Sequence, residues 1–371
     1  MNYNNNQQAF CAMVKAGLWE KDVQLSLLDS IDFKAVYQLA EEQSVVGLVA
    51  AGLEHVIDVK IPKEEVLTFA GNALQLEQRN KAMNSFLADL IEKLRKAEVY
   101  TLLLKGQGIA QCYERPLWRA CGDVDLFLSE DNYNKAILLL TPLATMVEKE
   151  DPYIKHIGMT IGSWEVELHG NLRSGITARS DRMLDRIKND VFYGSNVRSW
   201  QNGSTQVFLM KEDNDVVYVF SHILHHFFHG GIGLRQICDW CRLLWEYRSS
   251  IKPDLLEKRI HAMGLMSEWK TFAALAVDWL GMPVEAMPLY SNSCKWSKKG
   301  KKVLSFVFET GNMGHNRDMS FRQETAAVNR KWKTFWHITS DTAKQFTIFP
   351  LDSIIVWLWM MRNGVLSLFG K

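Results

Sequence analysis

The sequence has almost no charge bias: 43 Lys and Arg against 42 Asp and Glu leave a formal net charge of +1. That removes any global electrostatic argument for nucleic acid or an anionic membrane as partner and leaves only local patches to weigh. It has no dense cysteine framework either. Cys11, Cys112, Cys121, Cys238, Cys241 and Cys294 are scattered over 371 residues, which excludes a disulfide-stapled small secreted domain and points to a reducing compartment. Segment Met1–Gln8 is polar and uncharged. It lacks the basic start and apolar stretch of a signal peptide, so a cytoplasmic location is expected. Nor is there an uninterrupted apolar run long enough to cross a bilayer. The most apolar stretch, Ile354–Met361 continuing past Arg362 and Asn363 to Val365–Phe369, is short and broken, and reads as a buried or half-buried C-terminal helix. Stable membrane insertion is therefore not expected, although Trp357 and Trp359 raise the alternative of a surface that docks on lipid or a partner. No internal repeat of fixed period is seen.

What is present is a 47% hydrophobic, 23% charged chain long enough for two or three domains and a substantial core. Phe33–Leu53 has apolar residues at helical spacing, and Pro62 stands at the expected first turn of a long helix running to Ala97. The pattern changes at Val99. Val99–Leu104 reads as a short buried strand, Cys121–Leu128 alternates cleanly, and Asn132–Leu140 reads as a helix. Ile154–Ile161 and Trp164–His169 read as strands joined at Gly162-Ser163, with Asp181–Lys188 a short helix and Thr205–Met210 a last apolar run. Helices return over Asp215–Phe228, Leu234–Arg248, Leu255–Leu265 and Trp269–Leu280, and Lys295–Lys302 reads as a basic loop. The expected architecture is α+β: a helical region over 1–97, a mixed β-sheet core over 98–210 and a helical domain over 211–371.

The chemistry concentrates in the core. Asp123 and Asp125 sit two apart on a strand, so they share a face with Cα atoms roughly 6–7 Å apart. Two like charges held together are costly unless a cation lies between them, and Mg²⁺, a hard ion with oxygen ligands, suits the pair. Glu165 and Glu167 share a face of the next acidic strand, and periodicity alone does not choose between them. A third carboxylate there would complete a metal site or take a proton from an acceptor hydroxyl.

The run Leu102-Leu103-Leu104-Lys105-Gly106, then Tyr113, Arg119, Gly122-Asp123-Val124-Asp125-Leu126 and Glu167-Leu168-His169, resembles the uncharacterised nucleotidyltransferase family of the DNA polymerase β-like superfamily. His225–Gly230, Leu234–Asp239 and Thr310–Gly314 share that resemblance. It implies a metal-binding pair at Asp123 and Asp125, a third carboxylate at Glu167, one or two Mg²⁺ ions and a nucleoside triphosphate as substrate. It places the phosphate-binding turn at Lys105, Gly106 and Gln107, where Gln107 departs from the small residue usual in the superfamily and the gap to Asp123 is somewhat longer. Backbone amides after the turn and the Lys105 charge would receive phosphate. Arg119 has two readings, a phosphate contact or an ion pair with one of the aspartates.

His222, His225, His226 and His229 are spaced i, i+3, i+4 and i+7 and fall on one helix face. With Cys238 and Cys241 they suggest zinc, but no second Cys-x-x-Cys pair or acidic base motif accompanies them, and zinc is not expected. The alternatives are a lining for the cleft, with His169, Arg235 and Asp239 nearby, and plain packing. Lys295, Lys298, Lys299, Lys301 and Lys302, with only Trp296 as a stacking aromatic, read as a solvated loop more readily than as a nucleic-acid surface. The expected function is Mg-dependent transfer of a nucleoside monophosphate to a hydroxyl on a small molecule, protein or RNA. The alternative is a nucleotide-binding or regulatory protein with little or no turnover, such as a toxin–antitoxin component, a reading motivated by Gln107.

Overall fold

In the computed structural model, which describes residues 3–316 and 327–366, the chain opens on helix α1 (Asn5–Trp19). Asn4 and Gln7 form a reciprocal capping box at its start, satisfying two backbone donors that a helix leaves orphaned. Helices α2 (Phe33–Glu42) and α3 (Val46–Glu54) follow. The single helical reading of Phe33–Leu53 is corrected here: Ser44 takes a positive φ of 55°, and the break frees Gln43 to bond the carbonyl of Val307 and the amide of Leu234. One buried amide thus ties the N-terminal helices to two C-terminal segments.

The pair α1 and α3 approach backbone to backbone. A Cβ built on Gly17 would lie 2.0 Å from the Leu48 carbonyl oxygen, and one on Gly52 2.0 Å from that of Met13. Gly52→Ala is therefore expected to destabilise the protein in urea denaturation. Its overpacking cost of about 1–3 kcal/mol outweighs the roughly 1 kcal/mol that alanine gains in helix propensity. A stabilised variant would show that the two helices do not close this far.

The long helix α4 (Lys63–Lys96) starts after Pro62 and carries Glu64 and Glu65 in its first turn and Lys93, Arg95 and Lys96 in its last, both favourable to the helix dipole. Its inner stripe, Met83, Leu87, Leu90, Ile91 and Leu94, is buried against the sheet. Then come β1 (Leu102–Leu104), the single-turn α5 (Gly106–Ala110), β2 (Asp123–Phe127), α6 (Glu130–Leu140), β3 (Met146–Val147), β4 (His156–Ile161) and β5 (Trp164–His169). The core ends with α7 (Ala178–Tyr193), β6 (Val197–Asn202) and β7 (Thr205–Met210). Among the described residues the strands form a seven-stranded mixed sheet in the order β3-β4-β5-β2-β1-β7-β6. β2 runs antiparallel to β1 and parallel to β5. Strand β6, with only two apolar residues, was not foreseen; it pairs with β7 across Gly203.

The alternation of β2 decides which face is core and which is site. Val124, Leu126 and Leu128 are buried with Val166 and Leu168 under α4 and α6, each contributing on the order of 1.5–3 kcal/mol of burial. Asp123 and Asp125 point to the opposite face, while Phe127 joins the larger core formed with the C-terminal helices. Those are α8 (Glu212–His229), α9 (Leu234–Glu246), α10 (Pro253–Met263), α11 (Met266–Leu280), α12 (Cys294–Thr310), α13 (Ala327–Phe346) and α14 (Pro350–Leu366). The fold is α+β, a mixed sheet flanked by helices.

A further expectation is corrected in this region. The lysine run is not a loop: it opens α12, and its charges point to different neighbours, Lys295 over the Trp296 ring, Lys299 over Phe349 and Lys301 over Tyr3. Trp357 and Trp359 are half-buried, while Leu351, Ile354, Ile355 and Leu358 of the same helix are exposed. Trp357 donates to the Thr339 hydroxyl, and Trp359 packs against His229 and Tyr153. Phe369 and the end of that apolar run lie outside the described residues. Among the described residues no helix is long and apolar enough to cross a membrane.

Helices α11 and α14 also share a pair of acids, Glu268 and Asp352. Glu268 on α11 is 2% exposed and its Oε2 has no hydrogen-bond partner. Burial first, and the Asp352 carboxyl of α14 second, push Glu268 up to about 8, with Lys299 of α12 opposing. Burial raises Asp352 as well. A folded-state value above the unfolded one means the contribution is whole below the ordinary carboxyl range and is lost as pH rises towards 8. Melting temperature is expected to fall from about pH 5 to about pH 8.5, and Glu268→Gln, permanently neutral, is expected to flatten that fall. Equal slopes in the two proteins would contradict the assignment.

Candidate functional site

The site begins where β1 ends. Lys105 takes φ 49° and ψ −138° and Gly106 follows at φ 44°. A non-glycine residue in that region costs on the order of 1–3 kcal/mol and persists only where the surroundings hold it. Here they do: the Lys105 ammonium lies 3.0 Å from Asp125 Oδ1 and 3.2 Å from His222 Nε2. Burial lowers the Lys105 pKa, but the carboxylates of Asp125, Asp123 and Glu167 outweigh it and hold the ammonium charged.

Gln107, the departure from the family pattern, does not enter the cavity. Its side chain is 2% exposed, donates to Asn80 Oδ1 at 3.4 Å and accepts from the Cys121 thiol at 3.2 Å. Asn80, fully buried on α4, donates to the carbonyls of Leu117 and Arg119 at 2.8 Å each. A polar pair under the sheet therefore fixes the segment that leads into Asp123.

β2 and β5 are parallel and in register, with Asp123 opposite Glu165 and Asp125 opposite Glu167. Register alone leaves both glutamates on the aspartate face; side-chain geometry separates them. Carboxylate oxygens of Asp123, Asp125 and Glu167 lie within 4.8 Å of one another, whereas Glu165 accepts from the Thr160 hydroxyl at 2.8 Å. The Asp125 charge, then burial, raises the Asp123 pKa against the pull of Lys105. Glu167 is held well below the ordinary range: burial opposes ionisation, but His156, His169 and Lys105 override it. His169 is raised, because its bonds to Asp125 at 2.9 Å and to Glu167 outweigh its burial. The all-oxygen donor set of Asp123, Asp125 and Glu167 fits Mg²⁺.

The carboxylates floor a cavity of about 730 Å³. Lys105, Gly106, Arg119, His169, His225, His226, Arg235 and Asp239 all line it, as do Tyr218, His222 and Asn312. Gln107 and His229 are not among its lining residues. Arg119 pairs with neither strand aspartate. Its Nε and Nη2 donate to Asp239 at 3.0 and 2.5 Å, and Tyr113 donates to the same carboxylate at 2.7 Å. Arg235 differs: it donates through Nη1 to the Ala120 carbonyl at 2.9 Å, while its Nε is buried with no partner.

The histidine face of α8 is neutral. Burial first, then Lys105, drives His222 well below its usual value. Burial with neighbouring imidazoles lowers His226 to about 3 and His229 to about 4. His226 and Lys105 both reach His222 Nε2, and His225 donates to the Ser174 carbonyl. This face gathers no metal-binding group with Cys238 and Cys241, which are fully buried on α9. Among the described residues the donor clusters both contain Glu167. One, His156 with Glu167 and His169, was missed from the sequence. Counting back from the Gly162-Ser163 turn puts His156 directly opposite His169, so the signal was there.

A strained turn after β1, two aspartates on β2 and a glutamate on the parallel neighbour, gathered at the floor of a cavity, define a nucleotidyltransferase-type core. Residues 29–281 match the uncharacterised nucleotidyltransferase family, more than half of the chain, and the chain belongs to that family. No curated protein and no solved structure gives a significant match.

Proposed function

We propose that the protein is a Mg²⁺-dependent nucleotidyltransferase that moves a nucleoside monophosphate from a triphosphate to a hydroxyl acceptor. The observation that carries this reading is the convergence of Asp123, Asp125 and Glu167 within 4.8 Å at the cavity floor. Bound Mg²⁺ would neutralise charge on the phosphates and polarise the transferred group. Asp123, Asp125 and Glu167 would hold it. The depressed Glu167 pKa favours a ligand over a base, since a weakly basic carboxylate takes protons poorly.

Two cations support a phosphate-binding role for this cavity. Lys105 presents a point charge beside Asp125. Arg235 offers the unpartnered Nε–H at the cavity wall, where a buried donor without a partner is costly until an acceptor arrives. The two bonds of Arg119 to Asp239 support a positioning role for it before Asp123 over a phosphate contact. The inward turn of Gln107 supports access at this turn, since its bulk does not reach the lining.

Mg²⁺–ATP binding by calorimetry tests the reading. Asp123→Asn and Asp125→Asn are each expected to weaken binding about tenfold or more, and removal of Mg²⁺ to have the same effect. Affinity equal to wild type in both variants would remove the carboxylate site. Binding without transfer of label from any nucleoside triphosphate to an extract would favour a non-catalytic binding protein.

A further inference from the structure

The hairpin that carries Glu167 also places two imidazoles beside it. His156 on β4 and His169 on β5 are directly opposed in the antiparallel pair, and Glu167 lies two residues before His169 on the same face. His156 Nε2 stands 3.1 Å and His169 Nε2 3.4 Å from one oxygen, Glu167 Oε2; His169 Nε2 also lies 2.9 Å from Asp125 Oδ1, so an ion there takes the place of the proton those two share. All three ligand atoms lie within 4.8 Å of one another. Donors bound to a common ion at roughly 2.0–2.2 Å stand about 2.9 Å apart in an octahedral shell and about 3.4 Å apart in a tetrahedral one. The two observed separations fall in that interval.

The donor chemistry differs from that of the neighbouring carboxylate cluster. Three carboxylates suit Mg²⁺, which binds imidazole poorly; two imidazole nitrogens and one carboxylate suit a borderline first-row ion. The three residues sit on paired strands, which holds ligands more firmly than a loop does. All three line the cavity, so remaining coordination positions open onto it.

We propose that His156, Glu167 and His169 form a second metal site, selective for a nitrogen-preferring divalent ion of the cobalt–zinc class and sharing Glu167 with the Mg²⁺ cluster. The site stands on the hairpin geometry. It does not require the transfer chemistry proposed above.

Full-length protein stripped with chelator is titrated with Co²⁺. One ion per chain is expected, with visible ligand-field absorption that a large excess of Mg²⁺ does not remove. In proton NMR two hyperfine-shifted, solvent-exchangeable imidazole N–H resonances are expected. His156→Ala and His169→Gln should each remove one resonance and weaken Co²⁺ about tenfold or more. Asp123→Asn, outside the donor set, should keep both resonances while losing Mg²⁺–ATP affinity, which separates failure of this site from failure of the transferase reading. Absence of shifted imidazole resonances in the wild type overturns the proposal without recourse to any variant. Unchanged Co²⁺ affinity in both histidine variants overturns it as well.

Discussion

Asp239→Ala is expected to destabilise the protein by about 3–5 kcal/mol, because it breaks a buried ion pair from one side only. Asp239 is 4% exposed and Arg119 6%. The carboxylate accepts from Arg119 Nε and Nη2 and from the Tyr113 hydroxyl. Its removal leaves a buried guanidinium whose remaining side-chain contact is the Cys121 sulfur at 3.0 Å. Arg235 stands close enough that its charge and that of Arg119 already oppose one another, with Asp239 between them as the compensating group. The loss is a large share of the roughly 5–15 kcal/mol that stabilises a typical protein. Urea denaturation should show a lower midpoint at unchanged slope. The double variant Arg119→Met/Asp239→Leu should lose less than Asp239→Ala alone, since it removes the guanidinium that the single variant leaves uncompensated. A loss below about 1 kcal/mol in Asp239→Ala would mean that water reaches the pair as it does at a surface.

That pair also marks where sequence reading stops. The ends of β5 and β7 were legible because Trp164–His169 and Thr205–Met210 alternate or run apolar between turn signals. The metal cluster was legible in part, since Asp123 and Asp125 share a face on any strand. Choosing Glu167 over Glu165 needed more than periodicity, because both glutamates occupy the same face and only the Thr160 hydroxyl draws Glu165 aside. Arg119 looked like a partner for the nearest aspartates. Its true partner lies 120 residues away on α9, and no local pattern reports a contact created by packing a helical region onto a sheet. β6 was lost for a related reason: an edge strand with few apolar residues takes its shape from its hairpin partner and not from its own pattern. The lysines of α12 were read as a loop because charge density masked the helix, whose buried apolar side chains begin only at Val303.

On the proposed transferase function, Asp125→Asn is expected to lower the rate of label transfer by about 10²–10³-fold, corresponding to a few kcal/mol of lost charge stabilisation around the transferred phosphoryl group. Asp125 is the deepest of the three carboxylates, at 1% exposure, and it accepts from Lys105 and His169. Asparagine keeps its shape and one accepting oxygen but removes the charge, so the Lys105 ammonium loses its principal counter-charge and stability falls together with rate. The two effects separate in a double-mutant cycle with Lys105→Met. Lys105→Met alone leaves Asp123 and Asp125 repelling each other without the ammonium, a repulsion already visible in the raised Asp123 pKa. The double variant removes both uncompensated charges, so its melting temperature should recover towards wild type. Its transfer rate should not, because neither the proposed metal-binding charge nor the proposed phosphate-binding cation is restored. Recovery of rate along with stability would show that Asp125 supports the fold of this turn and takes no part in the transfer chemistry.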